Sequence, residues 1–351
     1  MQQSTQSTAG VIGLGIIGGR VAARLRRAGW QLWVWNRTVR PEPNFLSSPA
    51  EVAESARHIQ VFVSDGAALL EVMRSMAPAL TPEHVVMNHA TVSPSETKAA
   101  AEIARGKHAA FLDIPFTGSR DAAEKGQIVY YAGGDPEALA RVRLQLEVSA
   151  RQIVPVGEVG QASVLKIATN IIAAAEVGAL AEAFALLDRH GVELHKLPLA
   201  LEGNAARSGV IDMKAPPMVS GDFEPRFSLK HMFKDIQLAL KMGEETDLEL
   251  PTASAFAGAA MAGIQRGWGE SDFSVVSRLF GYPGRGHLPA PKPLDEPKPE
   301  APPAPAAPNT PATPSLAIPV PPATNLAKPP EGEIPAPGAT RKFWSFLGGN
   351  K

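Results

Sequence analysis

The stretch that most constrains the fold is short. An apolar run at 11–14 ends in Gly13-Leu-Gly15-Ile-Ile-Gly18-Gly19. A helical pattern follows at 17–28, with Arg20, Arg24, Arg26 and Arg27 on its polar side. Gly29 stops it, and a second apolar run covers 32–35. Strand, glycine-rich turn, helix and strand in this order form the setting that a dinucleotide-binding turn requires. Gly13 permits the tight turn, Gly15 lets the backbone approach a pyrophosphate, and Gly18 lets the helix pack closely on the strand. Leu14, Ile16 and Ile17 complete the candidate contact loop. An anion there meets free N–H groups and the positive end of a helix dipole.

The second run ends in Asn36-Arg37-Thr38, with no Asp or Glu to bind a ribose hydroxyl. Arg37 suits a 2′-phosphate, with Asn36 and Thr38 as hydrogen-bond donors, so the expected cofactor is NADP in preference, with NAD as the alternative. The ordinary alternative is a solvated loop arginine.

Alternation continues through the first half. The pattern predicts strands at 59–63, 85–88, 109–114, 127–132 and 153–156. It predicts helices at 67–76, 94–104 and 135–148, with Ser93 and Asp135 as N-caps and Pro94 at the first helical position. Such repeated units build a mostly parallel sheet with helices on both faces, and ligands bind beyond the carboxyl ends of its strands. Gly13, Ser64-Asp65, His89 to Thr91 and Pro115 to Ser119 fall at those ends.

After Pro155 the strand pattern stops. Residues 160–279 read as helices broken by Gly191, Gly203, Pro216-Pro217, Gly221 and Pro251. The first of these helices, 160–187, is apolar nearly all round, which argues for burial between other elements. Lys166 and Asn170 lie four apart on one face. On spacing alone Lys166 snorkels to water; the sharper alternative is a pocket that this helix walls.

The expected fold is α/β. A Rossmann dinucleotide-binding domain covers 1–158, an all-helical substrate and oligomerisation domain 159–284, and a disordered Pro-rich tail 285–351. Residues 286–351 carry 18 of the 33 prolines, a composition that buries too little apolar surface to fold. Phe343-Trp344 near its end is a docking peptide, a weak membrane-surface contact or an unremarkable terminus. A net charge of -1 gives no footprint for nucleic acid, and the absence of cysteine excludes disulfides and thiolate chemistry. Residues 1–10 lack signal-peptide character, so the expected location is cytoplasmic, with no membrane span and no metal site.

Four blocks in order resemble the β-hydroxyacid dehydrogenase family, the group that includes 3-hydroxyisobutyrate dehydrogenase. They are Val11-Ile-Gly13-Leu-Gly15-Ile-Ile-Gly18, Asp113-Ile-Pro115-Phe-Thr117-Gly118-Ser119, Gly160-Gln-Ala-Ser-Val-Leu-Lys166-Ile-Ala-Thr-Asn170 and Lys234-Asp235-Ile-Gln-Leu238-Ala239. The run from Phe227 to Asp235, with Asn36-Arg37-Thr38, looks closest to the glyoxylate/succinic semialdehyde reductase branch, which prefers NADPH. The chain departs from the family pattern at Phe116-Thr117, at Ala90 and His89, and in its tail.

The resemblance implies hydride transfer between NADPH and a short aldehyde acid or β-hydroxyacid of the glyoxylate, succinic semialdehyde or 3-hydroxyisobutyrate type. It implies Lys166 as proton donor and acceptor, with Asn170 orienting it. The Thr117-Gly118-Ser119 backbone would bind the substrate carboxylate. Thr91 and Lys234 would lie on the cofactor side, with Lys230 an open case. A homodimer or homotetramer is expected. The competing expectations are an imine reductase-like enzyme, or a cofactor-binding scaffold recruited to a protein partner through the tail.

Overall fold

The computed structural model describes residues 7–281. The tail expected at 285–351, with Phe343-Trp344, lies outside the described residues.

The sheet half runs β1 (Thr8–Ile12), α1 (Gly18–Arg27), β2 (Gln31–Trp35), α2 (Pro49–Ser55), β3 (His58–Val61), α3 (Gly66–Met76), β4 (Val85–Asn88), α4 (Pro94–Arg105) and β5 (Ala110–Asp113). It continues through β6 (Phe116–Thr117), α5 (Arg120–Lys125), β7 (Ile128–Gly133), α6 (Pro136–Glu147) and β8 (Ala150–Gly157). The strand order is β2-β1-β3-β4-β5-β7-β6, with β8 on β7. The five strands from β2 to β5 are parallel and end almost level, with Trp35, Ile12, Val61, Asn88 and Asp113 paired in series. The chain goes to one side of β1 to make β2 and to the other to make β3, which opens a crevice above their carboxyl ends.

The expected caps are in place. Ser93 and Glu96 form a reciprocal capping box with Pro94 at the first helical position, and Asp135 caps α6. Three elements had no periodic signal, α2, α5 and β6, because each is too short to repeat an apolar face. The antiparallel pairing of β7 with β5 and β6 follows from that short β6 ribbon.

The helical half holds α7 (Gln161–Arg189), α8 (Lys196–Leu201), α9 (Gly209–Ser220), α10 (Leu229–Glu245) and α11 (Pro251–Gln265), and it ends in a 3₁₀ segment, Phe273–Phe280. Val177, Ala181 and Phe184 of α7 pack in one buried cluster with Met218, Ile236 and Phe256. This is a core helix, although its length and composition alone would let it cross a membrane. Burial holds for one side only, because Ile172 and Leu186 are exposed. The break expected at Pro216-Pro217 does not occur, and both prolines lie inside α9. The carbonyls deprived of their donors belong to Asp212 and Met213, both exposed residues.

A buried polar anchor ties the first turn of α7 to the sheet half. Asp113, buried at the end of β5, accepts from the N–H groups of Gly160 (3.0 Å) and Ser163 (2.9 Å) and from Ser163 Oγ (2.9 Å). Burial pushes its carboxyl up to about 6, while the Ser163 and Gly160 donors pull it back, so it is a carboxylate at neutral pH. This fixes the first turn of α7 under the sheet. Asp113→Ala leaves buried donors without an acceptor and should cost about 3 kcal/mol. The check is the urea midpoint; an unchanged midpoint would mean that α7 is anchored elsewhere.

Candidate active site

The glycine turn is shaped by sterics. Gly13 sits at φ +91°, where a Cβ would fall 1.9 Å from the Phe62 carbonyl oxygen, and a Cβ on Gly18 would fall 2.0 Å from the Gly13 carbonyl. Neither position takes another residue without moving backbone. A Cβ on Gly15 would meet nothing within 4 Å, so the loop has an open flank there. Leu14 differs from its neighbours, because its side chain is buried in the core and only its backbone belongs to the turn. That backbone N–H donates to Asn36 Oδ1 at 2.9 Å, and Asn36 Nδ2 donates to the Thr38 carbonyl at 2.8 Å. Asn36 therefore ties the turn to the end of β2 rather than offering a free amide. Arg37 and Thr38 beside it are exposed.

From this turn a cavity of about 620 Å³ runs between the sheet edge and the helices. Gly15 to Gly18, Ser64 and Thr91 line its sheet side, and Lys166, Asn170, Lys234 and Asp235 its helical side. Thr117, Gly118 and Ser119 line it as well. Of the Ser64-Asp65 pair only Ser64 faces the cavity. Asp65 is the N-cap of α3, accepting from Ala68 N–H (2.9 Å) and Ser64 Oγ (2.6 Å). Ser119 Oγ likewise caps α5. Lys230 Nζ donates to Glu270 Oε1 at 2.5 Å, and Glu270 itself lines the cavity.

Lys166 does not snorkel. It is 8% exposed, and its Nζ donates to Asn170 Oδ1 at 2.8 Å. Asn170 Nδ2 donates to Asp235 Oδ2 at 2.6 Å, and Lys234 Nζ lies 3.0 Å from Asp235 Oδ1. Lys234 also donates to the Thr91 carbonyl at 2.5 Å. One polar chain thus joins α7, α10 and the loop after β4. Burial pushes the Lys166 ammonium down to about 8, Asp235 pulls it back up, and Lys234 adds to the depression. A lysine near 8 exists in both protonation states close to neutral pH, which suits proton transfer in either direction.

His89 gives no titratable group to the site. Its ring lies flat on Phe62 at 4.4 Å, its Nδ1 is 2.8 Å from the Ile114 carbonyl, and burial pushes it down to about 3. Phe116 lines the cavity and meets Phe62 and Tyr130 edge-on. The residue that sequence reasoning left without a role is Asp235. A Lys-Asp pair in a helix reads as a surface ion pair, and only the structure shows it 2% exposed and facing Asn170.

A dinucleotide fits these residues. A glycine turn with an open flank lines the cavity, an exposed Arg37 follows β2, and a buried lysine lines the same cavity. Among the described residues no cluster of three or more metal-ligating side chains occurs.

Comparison with known proteins gives the same pattern. Residues 8–157 match the NAD binding domain of 6-phosphogluconate dehydrogenase. Residues 160–280 match the family described as NAD-binding of NADP-dependent 3-hydroxyisobutyrate dehydrogenase. The chain is similar to glyoxylate/succinic semialdehyde reductase 1 of Arabidopsis thaliana, with 29% identity over 76% of this chain and 96% of the relative. It is similar to 2-hydroxy-3-oxopropionate reductase of Escherichia coli K12, with 30% identity over 70% of this chain and 87% of the relative. Its fold matches 3-hydroxyisobutyrate dehydrogenase of Mycobacterium tuberculosis, solved with L-serine, at a TM-score of 0.71, with 24% identity over 78% of this chain and 99% of that one.

Asp235→Asn removes the charge that holds the Lys166 ammonium up. The Lys166 titration midpoint should move below about 8, read by NMR of isotopically labelled lysine side chains. A midpoint that stays or rises would remove Asp235 from the electrostatics of the site.

Proposed function

Because this chain belongs to the β-hydroxyacid dehydrogenase family and is an NAD(P)-dependent enzyme acting on CH–OH groups, we propose that it reduces a short aldehyde acid to the hydroxy acid, preferring NADPH. The observation that carries this reading is the buried Lys166, held by Asn170 within the cavity that the glycine turn opens.

The roles follow from position. The Gly13 to Gly18 turn holds the pyrophosphate, with Leu14, Ile16 and Ile17 as its backbone, and Arg37 pairs with the 2′-phosphate. Ser64 and Thr91 border the path to the reacting end. The nicotinamide held there would supply the hydride chemistry of both directions. Lys166 Nζ gives its proton to the carbonyl oxygen as negative charge develops there, and takes it from the hydroxyl in reverse. Asn170 orients that ammonium. Thr117, Gly118 and Ser119 present backbone to a substrate carboxylate that adjoins the reacting carbonyl. Lys234, bound to Asp235 and the Thr91 carbonyl, holds α10 against the loop after β4.

The direct experiment is oxidation of NADPH, with NADH in parallel, against glyoxylate, succinic semialdehyde, tartronate semialdehyde and methylmalonate semialdehyde. Turnover of at least one with NADPH favoured is the expected result; tight NADPH binding without turnover on any would oppose it. Lys166→Ala should lose most of kcat, by a factor of about 10² to 10⁴, with NADPH affinity nearly unchanged. In the wild type, reduction should fall as pH rises through about 8 and oxidation should rise through the same range, since one needs the ammonium and the other the amine. Arg37→Ala should weaken NADPH binding and spare NADH. A parallel fall in both affinities, measured by fluorescence titration, would remove the 2′-phosphate role.

A further inference from the structure

The cavity carries a cation that the roles above do not use. Arg226 belongs to the segment between α9 and α10 and lines the cavity with Met213 and Lys214. The other cations around it are committed. Lys214 is buried against Asp272 at 2.8 Å, Lys230 pairs with Glu270, and Lys234 pairs with Asp235. Among the described residues the Arg226 guanidinium has no carboxylate partner, although an acid stands two positions before it. That acid, Glu224, is taken by Arg120 at 2.8 Å.

The Arg226 backbone is held, which fixes where its side chain leaves the segment. Asp272 Oδ2 accepts from the N–H groups of Arg226 and Phe227, both at 3.2 Å, while the same carboxylate binds Lys214 and Ser274. Asp272 is 3% exposed, so a buried node sets the path of the segment. The Arg120–Glu224 pair ties this segment to the start of α5, directly after the Thr117 to Ser119 turn. Arg226 is exposed at the rim, whereas Lys166 is buried at the floor. Their charged surroundings also differ. The charge of Arg226 acts on Lys214, where burial is the larger cause of a lowered pKa, while Lys166 answers to Asp235 and Lys234.

A guanidinium without a carboxylate partner, carried on a held backbone at the rim of a pocket for small acids, is a fork for an incoming carboxylate. A carboxylate bonded directly to the reacting carbonyl stays with that carbon at the floor. A carboxylate separated from the carbonyl by a chain of methylenes extends to the rim. We propose that Arg226 receives the carboxylate at the far end of the substrate, so that the pocket selects ω-oxo acids of about four carbons over two-carbon oxo acids. This deepens the aldehyde-acid reductase reading and rests on it.

The test compares the full-length protein with its Arg226→Gln and Arg226→Lys variants, using succinic semialdehyde and glyoxylate with NADPH. In Arg226→Gln the ratio of kcat/KM for succinic semialdehyde over glyoxylate should fall about 10- to 100-fold, the size of a lost charged hydrogen bond. The loss should lie mainly in KM, and Arg226→Lys should recover part of it. A ratio that stays constant, whether both substrates weaken together or neither does, would overturn the proposal. A wild type that reduces glyoxylate but not succinic semialdehyde would also overturn it and leave the reductase reading standing. Should the wild type reduce neither, the reductase reading fails, and calorimetry on the NADP⁺ complex decides the role of Arg226. Binding of 4-hydroxybutyrate that is lost in Arg226→Gln supports it, and equal or absent binding in both proteins opposes it.

Discussion

A lysine ammonium taken out of water must be compensated, and the arrangement of this protein around its cleft follows from how Lys166 is compensated. Its helix leaves the sheet where Asp113 fixes the first turn, so its position relative to the strand ends is set by a buried carboxylate and three donors. Its charge is then met by Asn170 and, through that amide, by Asp235 on a different helix. Neither partner cancels the burial in full, and the lysine is left at about 8. A closer carboxylate would hold the proton too tightly for transfer. No partner at all would drive the lysine neutral throughout the working range.

The sheet half was legible in the sequence because its signals are local. Gly13, Gly15 and Gly18 between two apolar runs, and Ser93-Pro94 before a helix, each specify backbone within a few residues. The order of strands and helices followed from these signals. The helical half was legible as helices but not as a packing arrangement. Pro216-Pro217 read as a break because a proline pair removes two hydrogen bonds, yet the residues that lose their donors, Asp212 and Met213, are exposed and the helix continues. The face of α7 with Ile172 and Leu186 read as buried because apolar content does not say on which side a neighbour stands.

The site divided along the same line. Lys166 and Asn170 stand out because two polar residues interrupt an apolar helix. Asp235 carries no such mark, since it sits in a mixed-charge helix where an acid beside a lysine is common. Its role arises from a contact across 65 positions, and spacing within one element cannot encode that. His89 shows the converse. A histidine at the end of a strand looks titratable in sequence, and the stacking on Phe62 with the bond to Ile114 leaves it neutral.

The polar chain from Thr91 through Lys234, Asp235 and Asn170 to Lys166 draws members from both halves of the molecule. A recombinant that kept the sheet and took its helices from a relative would import the lysine and its tuning acid as a set. The pH range of such a hybrid would travel with the donor of the helices, while its choice of dinucleotide would stay with the donor of the sheet. Two properties that are assayed together in one enzyme are therefore separable by inheritance at the short connection between Gly157 and Gln161.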